Sequence, residues 1–359
     1  MVVLYHYAVI GPGAPFHTFL YRLRNSFRLG WSGVDLFFVL SGFLIGGILL
    51  DARTSNRYFE TFYARRSFRI LPVYYLWLTL FPVGVLIYSR WGIPHLAQDP
   101  QMWLRLPLHY FFLQTLTYPF LPAARTVGWY WLGPTWSVAV EEQFYLVVAP
   151  LVRLLSTHKL VFALVGTIVM CPFLRLFVYF AWNHSTLFVL LMPCRADSFA
   201  TGMLAAILWK TPTSRLWLIT HRKWINAALA FLFLGPLVFT KWSPSMEDVL
   251  AATFKLQWLS VFFACLILTV LADSKGKVAG LMRWSFLREM GRLSYCIYLI
   301  HLSIVAGCFA FFLHSYPTMD SAASFGTLAI AALVTYALAW ISWRFLEHPM
   351  LKRGHAFKY

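Results

Sequence analysis

The stretch Trp136-Ser-Val-Ala-Val-Glu-Glu-Gln-Phe-Tyr145 places two adjacent carboxylates, Glu141 and Glu142, inside a run that otherwise suits lipid. At helical spacing Ser137, Glu141 and Tyr145 share one face, so a hydroxyl and a phenol can hydrogen-bond a carboxylate that lipid cannot solvate. Glu142 points about 100° away. Each glutamate either faces a polar cavity, where it can handle a proton, or serves as a hydrogen-bond partner between helices. His6 ends the apolar opening Met-Val-Val-Leu-Tyr-His. Its imidazole titrates near neutrality, which makes it a natural proton acceptor, or else a satisfied packing residue. Asp35, at the entrance of the next apolar segment, could orient such a histidine or cap its own helix.

Arg66 and Arg69 are three residues apart and can share a helical face. Two guanidiniums so placed can grip phosphate oxygens, or they form an ordinary cytoplasmic cluster of positive charge. Arg195 and Asp197 follow Pro193 inside an apolar run, two residues apart, and so do not face each other on a regular helix. Arg195 is therefore expected to pair with a charge on another helix, Glu141 being the candidate, either as a structural ion pair or as a grip on substrate. Ser294, Tyr298 and His301 form a polar face that fits interhelical hydrogen bonding as well as catalysis. Glu347, before His348 and Pro349, closes the last apolar segment, where it fits an anchoring salt bridge.

The elements that must position these groups are membrane helices. The 359 residues are 60% hydrophobic and 12% charged, against about 25% charged in soluble domains. An all-α polytopic bundle of about ten transmembrane helices follows. The expected spans are an N-terminal stub, Gly33 to Leu50, and stretches near 70–89, 135–155, 159–181, 188–209, 224–240, 253–272, 293–313 and 324–346. The stub has only ten residues before Gly11-Pro12-Gly13, where a span needs about 20, so the first helix reads as truncated or as starting upstream. The stretch 90–134, with His95, His109, Arg105 and Pro107, reads as interfacial or re-entrant. The whole of 1–359 reads as one membrane domain.

Under strict alternation, nineteen Lys and Arg fall in one set of loops and seven in the other. This bias places both termini in the cytoplasm. The net charge of +17 points to cytoplasmic loops and anionic headgroups, and no basic tract points to nucleic acid. The five cysteines lie singly in apolar stretches, without the spacing of metal ligands or disulfides.

The order of these segments resembles the integral-membrane acyltransferase-3 family of bacterial enzymes. The matching pieces are Leu-Tyr-His6, Gly33-Val-Asp35-Leu-Phe-Phe-Val-Leu-Ser41-Gly42-Phe, Arg66-Ser-Phe-Arg69-Ile-Leu-Pro72, Trp136 through Tyr145, Ser294-Tyr295 through His301, and Phe345-Leu-Glu347-His-Pro349. The resemblance implies transfer of an acyl group, commonly acetyl, from acyl-coenzyme A to a hydroxyl of a carbohydrate or lipid-linked glycan, in the bacterial inner membrane. It gives His6 the role of the family's membrane histidine, Arg66 and Arg69 that of its arginine pair, and Glu141 that of its glutamate. With Asp35 or Glu141 orienting His6, the implied mechanism needs no metal and no permanently bound cofactor. Two departures stand out: the family's first helix usually carries an arginine some ten residues before the histidine, and no esterase-like domain follows the last helix. A transporter using Glu141, Arg195 and His301 as a proton or solute path is the rival class, and an inactive truncated paralogue is a third reading.

Overall fold

The computed structural model describes residues 1–9, 26–90, 101–116, 127–182, 187–242 and 248–359. In chain order the helices are α1 (Val2–Val9), α2 (Gly33–Asp51), α3 (Tyr58–Arg90), α4 (Gln101–Tyr110), α5 (Val127–Leu132), α6 (Thr135–Leu154), α7 (Thr157–Ala181) and α8 (Leu187–Leu190). There follow α9 (Met192–Lys210), α10 (Pro212–Thr220), α11 (Arg222–Trp242), α12 (Leu256–Ala272), α13 (Lys277–Met282), α14 (Ser285–Leu313), α15 (Ala322–Ser342) and α16 (His348–His355). No strand occurs among the described residues.

Among the described residues, seven stretches are long and apolar enough to cross a membrane: Arg28–Asp51, Tyr58–Ile87, Thr157–Ala181, Arg222–Phe239, Ala251–Ala272, Ser285–Leu313 and Ala322–His355. The chain is thus an all-α, multi-pass membrane protein. Of the other three expected spans, α1 has 8 residues, whereas α6 and α9 have 20 and 19. Those two are long enough to span, and what lowers their apolarity is the charge they carry: Glu141 and Glu142 on α6, Arg195 and Asp197 on α9. The stretch 90–134 holds α4 and α5, of 10 and 6 residues, each too short to cross. His95 lies outside the described residues.

The chain divides into two compact units. The first comprises Met1–Trp31, Phe59–Ala139 and Glu289–Lys358. Here Tyr7 packs against Val305, Phe309, Leu328 and Ala331, joining α1 to α14 and α15. Trp77 and Trp131 stack with centroids 4.1 Å apart, and each indole N–H donates to the other's backbone carbonyl at 3.0 Å. Helix α3 starts twelve residues before the expected span at 70, because Tyr58 and Phe62 give its first turns a buried stripe that a hydropathy window does not detect. Its 33 residues measure about 50 Å, well beyond a hydrocarbon core of about 30 Å.

The second unit comprises Ser32–Tyr58 and Val140–Arg288, with Tyr359. Helix α9 is its axis, packed against α2, α7 and α12. Against α2 the backbones themselves touch. A Cβ added at Gly202 would lie 2.0 Å from the Val39 carbonyl oxygen, and one at Gly42 would lie 2.1 Å from that of Phe199. Gly42 and Gly46 are four apart on the same face of α2, the small-residue spacing that lets membrane helices approach closely. The two helices run parallel: Asp35 and Arg195 pair near their starts, and Lys210 meets Asp51 at 2.6 Å at their ends.

Candidate functional site

In the first unit the residue that meets His6 is His301. His6 Nδ1 lies 2.7 Å from His301 Nε2, with the ring planes within 15° of parallel and the centroids 5.0 Å apart, so the two rings meet edge to edge. His301 is fully buried on α14, and its Nδ1 lies 2.8 Å from the Tyr298 carbonyl and 3.2 Å from that of Ile297. His6 is only half-buried. Tyr7, beside it on α1, hydrogen-bonds Thr335 on α15 at 3.2 Å, which helps hold this short helix in register.

The polar face of α14 is not the one expected. Ser294 is exposed and donates to the Gly291 carbonyl of its own helix, whereas Tyr295 donates to the Ile70 carbonyl on α3 at 2.9 Å. Tyr298 accepts from Ser137 at 2.8 Å, and Ser303 donates to the Tyr130 carbonyl at 3.0 Å. One helix therefore gathers α1, α3 and the start of α6 through hydroxyl and imidazole contacts. Arg66 and Arg69 stand on the amphipathic first turns of α3, half-buried and exposed respectively, one helical turn apart. Arg65 beside them donates to the Phe357 carbonyl at 2.9 Å. Glu347 is buried at the end of the π-helical turn Trp343–Glu347 that follows α15, where it accepts from Ser342 at 3.0 Å and feels the Arg69 charge. That contact is a hydrogen bond within its own helix rather than the expected salt bridge. Outside the apolar spans, burial pushes His109 down to about 4, so it stays neutral under physiological conditions, its ring against the Arg105 carbonyl.

In the second unit Glu141 is buried and accepts two hydrogen bonds, from Ser41 Oγ at 2.7 Å and from Tyr145 Oη. The phenol was legible from spacing. The hydroxyl is Ser41 on α2 and not Ser137, which lies in the first turn of α6 and donates to Tyr298 instead. Trp136 and Glu142 are both half-buried on the same helix.

The expected pairing of Arg195 with Glu141 is also corrected. Arg195 binds Asp35, both residues being buried, and its guanidinium lies over the Phe38 ring at 5.2 Å. Asp197 pairs at 2.7 Å with Arg175 on α7, a residue the sequence analysis does not single out. Arg175 also donates to the carbonyls of Cys194 at 2.9 Å and Ala252 at 2.7 Å, the latter in a π-helical turn at Ala251–Lys255. These pairs tie α9 to α2, α7 and the entry of α12. The signal that would have found Arg175 is simple: a guanidinium inside an apolar span needs a counterion, and Asp197 was the acid left over.

A family model described as an acyltransferase domain, of the acyltransferase-3 type, matches residues 1–344. Among curated relatives, a Bacillus subtilis protein named "Putative peptidoglycan O-acetyltransferase" is 28% identical over 90% of this chain and 51% of its own. A peptidoglycan O-acetyltransferase of Listeria monocytogenes is 27% identical over 93% of this chain and 53% of its own. The chain therefore spans about half the length of these two. A protein of Acidianus two-tailed virus named "Putative acetyltransferase" is 28% identical over 77% of this chain and 73% of its own. No solved structure matches.

Proposed function

Since the chain belongs to the acyltransferase-3 family, whose domain model it matches over residues 1–344, we propose that it transfers an acyl group, acetyl by preference, from acyl-coenzyme A to a hydroxyl of a carbohydrate or lipid-linked glycan. The names of its bacterial relatives favour an envelope glycan as acceptor, and the bacterial inner membrane is the location we assign with it. The observation that carries the reading is the imidazole pair of His6 and His301, a proton-handling group within a membrane-embedded unit. In this reading Arg66 and Arg69 hold the coenzyme A phosphates at the mouth of α3, and the remaining polar residues build the scaffold. Glu141, held by Ser41 and Tyr145, Asp35, held by Arg195, and Asp197, held by Arg175, fix the helices rather than the reacting atoms.

The chemistry follows from the donor. The acceptor oxygen attacks the thioester carbonyl as its proton passes to His6, the carbon–sulfur bond breaks, and the proton is delivered to the departing thiolate to give free coenzyme A. An alternative order, in which His6 first takes the acyl group and then passes it on, uses the same atoms. The test is His6→Gln in cells and in the purified chain. The variant should insert and bind acyl-coenzyme A normally, while base-labile acetyl esters on envelope glycans, measured by mass spectrometry after mild alkaline release, fall by about 10²-fold or more. Ester levels within a fewfold of the unaltered protein would rule out His6 as the base.

A further inference from the structure

The contacts of His301 decide which nitrogen of His6 can act. His301 Nδ1 lies 2.8 and 3.2 Å from two backbone carbonyl oxygens, which only accept, so this nitrogen carries a hydrogen. In the neutral imidazole the hydrogen on Nδ1 leaves Nε2 with a lone pair. At 2.7 Å from that lone pair, His6 Nδ1 must be the donor. The hydrogen of His6 is then on Nδ1, and its lone pair on Nε2, for which the described residues supply no hydrogen-bond partner. An isolated histidine would divide between two tautomers; this one is committed to the form with a basic Nε2.

We propose that His301 is a positioning residue that fixes His6 in the Nδ1–H tautomer and so presents Nε2 as the atom that takes the proton, or the acyl group, during transfer. The proposal rests on the acyl-transfer reading of His6. It assigns to a buried histidine the work that a carboxylate performs in better-known arrangements: aligning the ring, holding one hydrogen and leaving the other nitrogen bare. The α-helical backbone supplies the anchor, because the carbonyls of Ile297 and Tyr298, four and three residues before His301, take its Nδ1 hydrogen. When His6 Nε2 accepts the acceptor's proton, the ring becomes an imidazolium, and its Nδ1 hydrogen remains shared with His301 Nε2 until the proton returns to the leaving thiolate. No oxidant, metal or further acid is required for the balance.

Two measurements test this. The first is nitrogen NMR of the full chain labelled with ¹⁵N-histidine, with the His6 signals identified by their loss in His6→Gln. A protonated Nδ1 and a bare Nε2 on His6 are expected, and the reverse tautomer in the unaltered protein overturns the proposal whatever the activity. The second is a substitution series read in transfer assays with acetyl-coenzyme A. In His301→Gln the carboxamide oxygen can replace Nε2 as acceptor, whereas His301→Leu keeps bulk without an acceptor. Leu should lower kcat by about 10- to 100-fold with the KM for donor unchanged, the usual cost of removing a group that orients a functional histidine, and Gln should recover a clear part of that loss. Equal activities in the Gln and Leu variants would sink the idea, as would a fall confined to KM. If Leu fails to fold, the tautomer of the unaltered protein still decides. A His6→Gln variant that keeps full activity, beside the expected tautomer, would refute the acyl-transfer role of His6 and leave the tautomer assignment standing.

Discussion

Three acids in this chain are held by partners that satisfy them. Asp35 has Arg195, Asp197 has Arg175 and the Ser198 N–H, and Glu141 has Ser41 and Tyr145. Sequence spacing reached the Tyr145 contact because both residues lie on one helix. It could not reach the contacts of Arg195, Arg175 and His6, because side chains 160, 22 and 295 residues from their partners meet only through tertiary packing. Arg66 and Arg69 stand one turn apart near the start of α3, half-buried and exposed respectively. If they hold coenzyme A phosphates, Arg66→Ala and Arg69→Ala should each weaken acyl-coenzyme A binding by about 10- to 100-fold, the scale of losing a charge-assisted hydrogen bond. Lysine at either position should restore only part, since it lacks the planar fork. Isothermal titration of the purified variants reads this directly, and unchanged affinity in both alanine variants removes the arginines from the donor site.

At the scale of elements, the apolar runs were legible because a bilayer demands about 20 residues of hydrocarbon-compatible chain. What stayed hidden was amphipathic or small. The first turns of α3 carry Glu60, Arg65, Arg66 and Arg69 beside the buried Tyr58 and Phe62, so the helix extends past the apolar segment by which it was recognised. The contact of α2 with α9 is made by Gly42, Gly46 and Gly202, residues with no side chain to register in a hydropathy scan. That contact makes a sharp expectation. Gly202→Val should drive a side chain into the Val39 carbonyl, part α2 from α9 and strain the Asp35–Arg195 pair, destabilising the fold by about 1–3 kcal/mol or more. Gly166→Ala on α7, where a Cβ meets nothing within 4 Å, is the control. It should leave stability unchanged or raise it slightly, since alanine favours the helix. Thermal unfolding in detergent measures both, and a Gly202 variant as stable as the Gly166 one would show that the two backbones do not touch.

At the scale of the whole molecule, two observations bear on sidedness, and each comes from within one unit. In the second unit α2 and α9 run parallel, so an odd number of crossings separates them along the chain. Among the described residues α3, α6 and α7 supply three, which counts α6 as a span despite its two glutamates. In the first unit the C-terminal residues lie against the start of α3: Thr61 donates to the Lys358 carbonyl at 3.0 Å, Arg65 to that of Phe357, and Gly354 packs on Phe68. The arginine-bearing turns of α3 and the C-terminus are therefore on the same side of the bilayer. Both regions are rich in Lys and Arg, and the bias of such loops toward the cytoplasm makes that the side we propose for them. A cysteine placed at Arg57 and another at Tyr359, each in a background without the five native cysteines, should both react with a membrane-impermeant maleimide in inverted vesicles and in neither case in intact spheroplasts. Labelling of the two from opposite sides would contradict the contacts between α3 and the C-terminus. Labelling of both from outside would keep the fold and reverse its orientation, which would put Arg66 and Arg69 out of reach of cytoplasmic acyl-coenzyme A and end their proposed role.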